Sequence, residues 1–167
     1  MQAAIALKHP GLYWREMLFG VRPTRTLVRV GIWAVITTCL FHGVVLPIQI
    51  IGSSMAPTYQ SGSMNLINKV CYLRHDPRRG DIVAVSTPDE LLLKRIIALP
   101  GETVRINNGV LEVNGKEVHD RFSSEFIPWQ TPVLELGRGE YFVIGDNRKV
   151  SVFGPVARDQ IVGKIVF

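Results

Sequence analysis

Cysteine is scarce in this chain: the 167 residues hold two, Cys39 and Cys71, with no C-x-x-C and no zinc-ligand spacing. One lies inside an apolar run and the other well beyond it, which argues against a disulfide framework and leaves both as small apolar fillers. The four histidines, His9, His42, His75 and His119, are scattered and form no H-E-x-x-H. There is no G-x-S-x-G elbow and no phosphate-binding glycine loop. Zinc-protease, α/β-hydrolase and nucleotide-binding readings therefore find no support, and no metal or cofactor is expected. Internal repeats and low-complexity tracts are also absent, and no helical period stands out after Ile51.

Negative charge is missing from the start of the chain. Residues 1–29 carry Lys8, Arg15, Arg22, Arg25 and Arg29 against Glu16 alone, whereas the remainder is close to balance within an overall charge of +5. The basic pI thus describes an N-terminal arm and not a nucleic-acid-binding face. Val30 to Ile51, VGIWAVITTCLFHGVVLPIQII, then carries no formal charge at all. A membrane-spanning helix needs roughly 20 largely apolar residues. Trp33 lies near one end, where interfacial aromatics are favoured, and Pro47 is expected to kink or end the helix. The arm is too long for an ordinary cleaved signal peptide, and no A-x-A-like site follows the apolar run. Residues 1–29 are accordingly expected as a cytoplasmic arm, 30–51 as a transmembrane anchor, and 52–167 as an extracytoplasmic domain by the positive-inside rule.

After the anchor the texture is that of short strands. MNLINKVCYL (64–73), IVAV from Ile82, LLLKRIIAL (91–99), residues 141–144 and 160–167 read as strands. TVRINNGVLEVNGKEV reads as a hairpin series, with Asn108-Gly109 and Asn114-Gly115 supplying positive φ. Residues 119–139 read as an irregular surface excursion. The fold class is mainly β: one compact domain behind a single N-terminal transmembrane helix.

Just past the apolar run comes IGSSMAPTYQ, with two adjacent hydroxyls, Ser53 and Ser54. Either could be a nucleophile, and both could be turn or cap residues. With no histidine partner in sight, a serine nucleophile needs another base. Lys94 lies among Leu91, Leu92, Leu93, Ile96 and Ile97, a setting whose desolvation would lower a lysine pKa towards neutrality. On a strand Lys94 shares a face with Leu92 and Ile96, while Arg95 points the other way. The same pattern also fits a lysine whose stem lies on apolar surface with its head in water, and local sequence favours that commoner arrangement.

Four boxes decide between these readings. Gly52-Ser53-Ser54-Met55-Ala56-Pro57-Thr58, Arg79-Gly80-Asp81-Ile82-Val83, Lys94-Arg95-Ile96-Ile97-Ala98-Leu99-Pro100-Gly101-Glu102 and Gly145-Asp146-Asn147-Arg148 occur in this order behind the anchor. Together they resemble the type I signal peptidases, from about residue 30 to the end. The resemblance implies a signal-peptidase-like β domain and a Ser/Lys dyad, with Ser54 as nucleophile and Lys94 as general base. It further implies that Ser151 orients Lys94, that Asp146 and Arg95 form a structural pair, and that Met55 and Pro57 lie near substrate or membrane. Gly52 falls at the position from which some members supply a side-chain oxyanion donor, and here there is no side chain. The chain also departs from the family after Ser151, where an acid and an arginine common in other members are missing.

The implied function is removal of signal peptides from exported pre-proteins by cleavage after small residues of the A-x-A type. The partners are signal-peptide-bearing pre-proteins and the lipid bilayer, with no nucleic acid and no metal. The implied location is the bacterial inner membrane, single-pass, with the N-terminus cytoplasmic. Self-cleaving repressors share a G-x-S-M and a downstream lysine but lack the P-T, the L-P-G-E box and an anchor. A catalytically impaired anchored module and an organellar inner-membrane peptidase are the alternatives.

Overall fold

The computed structural model describes residues 23–122, 127 and 129–166. Most of the basic arm, up to residue 22, lies outside the described residues. The chain divides into two units, one ending at His42 and the other running from Gly43 to Phe167.

Helix α1, Pro23–Val44, makes up the described part of the first unit and ends two residues into the second. Pro23 can open a helix because its missing N–H would have had no partner in the first turn. Thr24–Val44 is the one helix among the described residues long and apolar enough to cross a membrane. The helix starts before the expected 30–51 span and stops short of its end. It ends at Val44 because Val45–Gln49 forms a strand, β1. Pro47 has no N–H to continue a helix. The segment instead pairs along its whole length with β2, Met64–Asn68. Ile48 and Ile50, two apart, then reach one core cluster, as side chains on one face of a strand do.

The second unit is antiparallel throughout. Its strands continue with β3 (Ile82–Ser86), β4 (Leu91–Ala98), β5 (Thr103–Asn107), β6 (Val110–Val113), β7 (Lys116–Glu117) and β8 (Leu134–Glu135). They end with β9 (Glu140–Ile144), β10 (Phe153–Ala157) and β11 (Ile161–Ile165). A seven-stranded sheet has the order β1-β2-β11-β3-β4-β9-β10, and a four-stranded sheet has the order β7-β6-β5-β8. The two Asn-Gly turns are present: Asn108, Gly109, Asn114 and Gly115 all have positive φ, which suits the twist of a tight hairpin. The expected strand over 64–73 stops at Asn68, and Cys71–Leu73 forms a single 3-10 turn.

Three apolar clusters hold the unit together. Val104, Ile106, Leu111 and Val113 of the small sheet pack with Ile97, Phe142 and Ile144 of the large one. Val83, Val85, Ile96, Val143 and Ile161 pack on one face of the large sheet. Ile50, Met55, Ile67, Ala84, Leu93 and Ile165 form the third cluster. The 119–139 excursion is irregular but not superficial. Phe122, Ile127 and Leu136 are buried, and Thr131 exchanges hydrogen bonds with the Ile106 backbone. Residues 123–126 and 128 of that segment lie outside the described residues.

Candidate active site

The site forms where three segments meet: the loop after β1, strand β4, and the turn between β9 and β10. The loop leaves the sheet through a hydrogen-bonded neck, with Ile50 N–H donating to Ser63 O at 2.9 Å and Gly62 N–H to Ile50 O at 2.7 Å. Ser54 lies on this loop and is half-buried, whereas Ser53 is exposed. Met55, expected near substrate or membrane, is 1% exposed and shares a core cluster with Ala84 and Leu93. Burying a side chain of that size contributes roughly 1.5–3 kcal/mol, so Met55 pins the loop to the core. Pro57 is exposed.

The turn after β9 grips the same loop. Asn147 N–H donates to Ser54 O at 3.0 Å, and Asn147 Nδ2 donates to Ser53 O at 3.2 Å. Thr58 Oγ1 donates to Asp146 Oδ2 at 2.5 Å. Gly145 fits between Ser54 and Ser151 so closely that a Cβ there would strike the Ser54 carbonyl and the Ser151 hydroxyl. Among the described residues the Ser54 N–H donates no hydrogen bond.

Lys94 is 3% exposed. Alternation along β4 puts it on the face of Leu92 and Ile96, opposite Val83, as expected. A cavity of about 190 Å³ beside it is walled by Val85, Leu92, Val143, Val152 and Phe153. Among the described residues Lys94 makes no ion pair. Burial lowers its pKa, and the more distant charge of Glu90 opposes this only in part. A buried amine without a counter-ion favours its neutral form. The snorkelling arrangement is therefore not the one adopted.

Ser151 links the two halves. Its hydroxyl accepts from Gly145 N–H at 2.6 Å and donates to Val152 O at 3.0 Å. A serine hydroxyl has two acceptor lone pairs, so one stays open after these bonds. Ser54 thus touches the Gly145–Ser151 segment, and the Lys94 cavity is walled by the residues that follow it.

Arg95, on the opposite face, donates to both carboxylate oxygens of Asp146 at 2.7 and 2.6 Å. Asp146 is 0% exposed, and its hydrogen bonds raise the Arg95 pKa. Arg95 also donates to Gly80 O at 2.9 Å, while Arg79 pairs with Glu102 at 2.6 and 2.7 Å. The four sequence boxes are therefore one network: Thr58 to Asp146, Asp146 to Arg95, Arg95 to Gly80, Arg79 to Glu102. Asn147, Thr58 and Gly145 went unassigned by sequence reasoning. Their presence inside the boxes was the signal that could have found them. No group of three or more His, Cys, Asp or Glu side chains suited to a metal occurs among the described residues.

An apolar N-terminal helix followed by an antiparallel β unit with these boxes is the make-up of a membrane-anchored serine endopeptidase. Residues 24–167 match the family described as signal peptidase, peptidase S26, and the chain belongs to that family. It is 36% identical over 143 residues to signal peptidase I V of Bacillus subtilis, covering 74% of this chain and 85% of that one. It is 33% identical over 135 residues to probable signal peptidase I-1 of Synechocystis sp., covering 72% and 69%. Signal peptidase IB of Staphylococcus aureus strain COL is 30% identical over 164 residues, covering 84% and 86%.

Proposed function

We propose that Ser54 is the nucleophile and Lys94 the general base for cleavage of signal peptides from exported pre-proteins. The observation that carries this reading is Lys94, buried and without an ion pair among the described residues, beside the segment that holds the Ser54 loop. Neutral Lys94 Nζ takes the Ser54 hydroxyl proton as Oγ attacks the scissile carbonyl carbon. The O–C bond forms, and the carbonyl π pair moves to oxygen. The Ser54 N–H, which donates no hydrogen bond among the described residues, holds this oxyanion. When the intermediate collapses, the C–N bond breaks and the Lys94 ammonium protonates the leaving amine. Water then attacks the ester carbon and gives a proton to Lys94; the Ser54 Oγ–C bond breaks, and Lys94 returns the proton to Oγ. Ser151, with its open lone pair, orients the Lys94 amine, and the Arg95–Asp146 pair holds the frame.

The substrates carry small side chains at the first and third positions before the cut, as the family resemblance implies. With Lys8, Arg15 and Arg22 before α1, Arg25 and Arg29 in its first two turns and no charged residue in the rest of it, the N-terminus is cytoplasmic and the β unit extracytoplasmic, in a bacterial inner membrane. Ser54 follows the apolar run closely in sequence, as a peptidase acting on membrane-inserted signal peptides requires.

The decisive experiment is cleavage of an A-x-A pre-protein by the purified full-length protein in detergent. Wild type is expected to cut after the small residue. Ser54→Ala and Lys94→Ala are expected to be inactive, and Ser53→Ala to keep substantial activity. Full activity in Ser54→Ala overturns the dyad.

A further inference from the structure

We propose that the Ser61 hydroxyl is a second donor to the oxyanion, beside Gly52, which has no side chain to offer. This rests on Ser54 being the nucleophile. The tetrahedral intermediate concentrates charge on one oxygen, and donors aimed at it act from about 2.7–3.1 Å. Ser54 N–H is one such donor, unused among the described residues. Gly52 N–H, two residues earlier, is committed: it donates to Ser61 Oγ at 3.2 Å.

That bond places the hydroxyl oxygen beside Gly52. A serine oxygen that accepts from an amide still has one proton to give. Among the described residues the Ser61 proton has no acceptor, although Ser63 nearby gives its own to Gln60 O. The space next to Gly52 is open, since a Cβ there would meet nothing within 4 Å. Distances allow the contact. The Gly52 and Ser54 nitrogens, two residues apart, are at most about 7 Å from each other. An oxyanion about 3 Å from the Ser54 nitrogen and a hydroxyl 3.2 Å from the Gly52 nitrogen leave room for one hydrogen bond between them. The neck bonds at Ile50, Gly62 and Ser63 hold the Ser61 backbone opposite Gly52 in advance, so the donor is preorganised.

During attack, the Ser54 Oγ–C bond forms, the proton goes to Lys94, and the electron pair reaching the carbonyl oxygen is met by Ser54 N–H and Ser61 O–H. No proton is transferred from Ser61. Its contribution exists only once the charge has formed, so it acts on kcat and leaves KM unchanged.

The test uses full-length protein in detergent, a synthetic pre-protein peptide, and a peptide aldehyde that forms a tetrahedral adduct with a serine. Ser61→Ala is expected to lower kcat by about 10- to 100-fold, with KM within about twofold and an unchanged Tm. Its affinity for the aldehyde should fall by about the same factor, and Ser61→Thr should restore both. Wild-type kcat and aldehyde affinity in Ser61→Ala overturn the proposal. So does a loss that appears in KM, or one that tracks a fall in Tm, since either marks a loop clasp only. Cleavage surviving in Ser54→Ala would instead overturn the dyad on which this inference stands, a separate result from a separate variant.

Discussion

Lys94 shows how one residue's environment sets its chemistry. Its neighbours Val83, Val85, Leu92 and Val143 offer no counter-charge, so burial lowers its pKa below the ordinary 10.5. Two consequences have opposite observables. Cleavage is expected to rise with pH through a single ionisation below 10.5 as Lys94 loses its proton. A flat profile would exclude a titrating lysine base. Stability follows the same ionisation. The folded-state pKa is depressed, so between it and the unfolded value the unfolded chain binds more protons, and stability climbs with pH. Lys94→Met removes this penalty. It should be inactive yet melt above wild type at neutral pH, and an equal or lower Tm would mean that the buried amine carries no penalty. The gap should narrow as pH approaches 10.5, and calorimetry across pH checks it.

At the scale of elements, the β9–β10 turn is the keystone. Gly145 leaves no room for a side chain against the Ser54 carbonyl. Gly145→Ala must push the nucleophile loop outward. A displacement near 1 Å is worth about 100-fold in rate, and overpacking costs about 1–3 kcal/mol. The variant should therefore stay folded by circular dichroism while its kcat falls about 100-fold. Wild-type kcat would show that the loop is not held here. Asp146 is fully buried and serves both Arg95 and Thr58. Asp146→Ala leaves the largely buried Arg95 guanidinium without its carboxylate partner. Stability is expected to drop by about 3 kcal/mol, or on the order of 6–12 °C in Tm. Urea titration measures it directly, and an unchanged midpoint would mean that solvent replaces the pair.

At the scale of the whole molecule, the helix and the β unit are separable in sequence and in contacts, dividing at His42 and Gly43. The β unit has its own three-part core, and α1 carries no charged residue after Arg29. The full chain should sediment with membranes and resist extraction by high salt. A chain beginning at Gly43 should appear in the soluble fraction and unfold cooperatively. Loss of cooperativity in that shorter chain would show that the β unit needs the helix to fold.

Much of this was readable in one dimension. Turn chemistry at Asn108-Gly109 and Asn114-Gly115 and alternation along Lys94-Arg95 are local properties, and local geometry follows from them. Uncharged length announced the helix, but not its ends. Val45–Gln49 is as apolar as the helix before it, and only pairing with β2 makes it a strand. Burial was the other quantity hidden from sequence. Whether Lys94 snorkels or is enclosed depends on Val143 and Val152, both more than forty positions away. The burial of Met55 is hidden for the same reason: it clusters with Ala84 and Leu93, far along the chain. By itself the sequence determined the boxes, their order and the two opposite faces of β4. Only the tertiary structure decided which of those side chains lose water and which hydrogen bonds remain unmade, because desolvation and donor satisfaction are set by distant residues that the chain brings together when it folds.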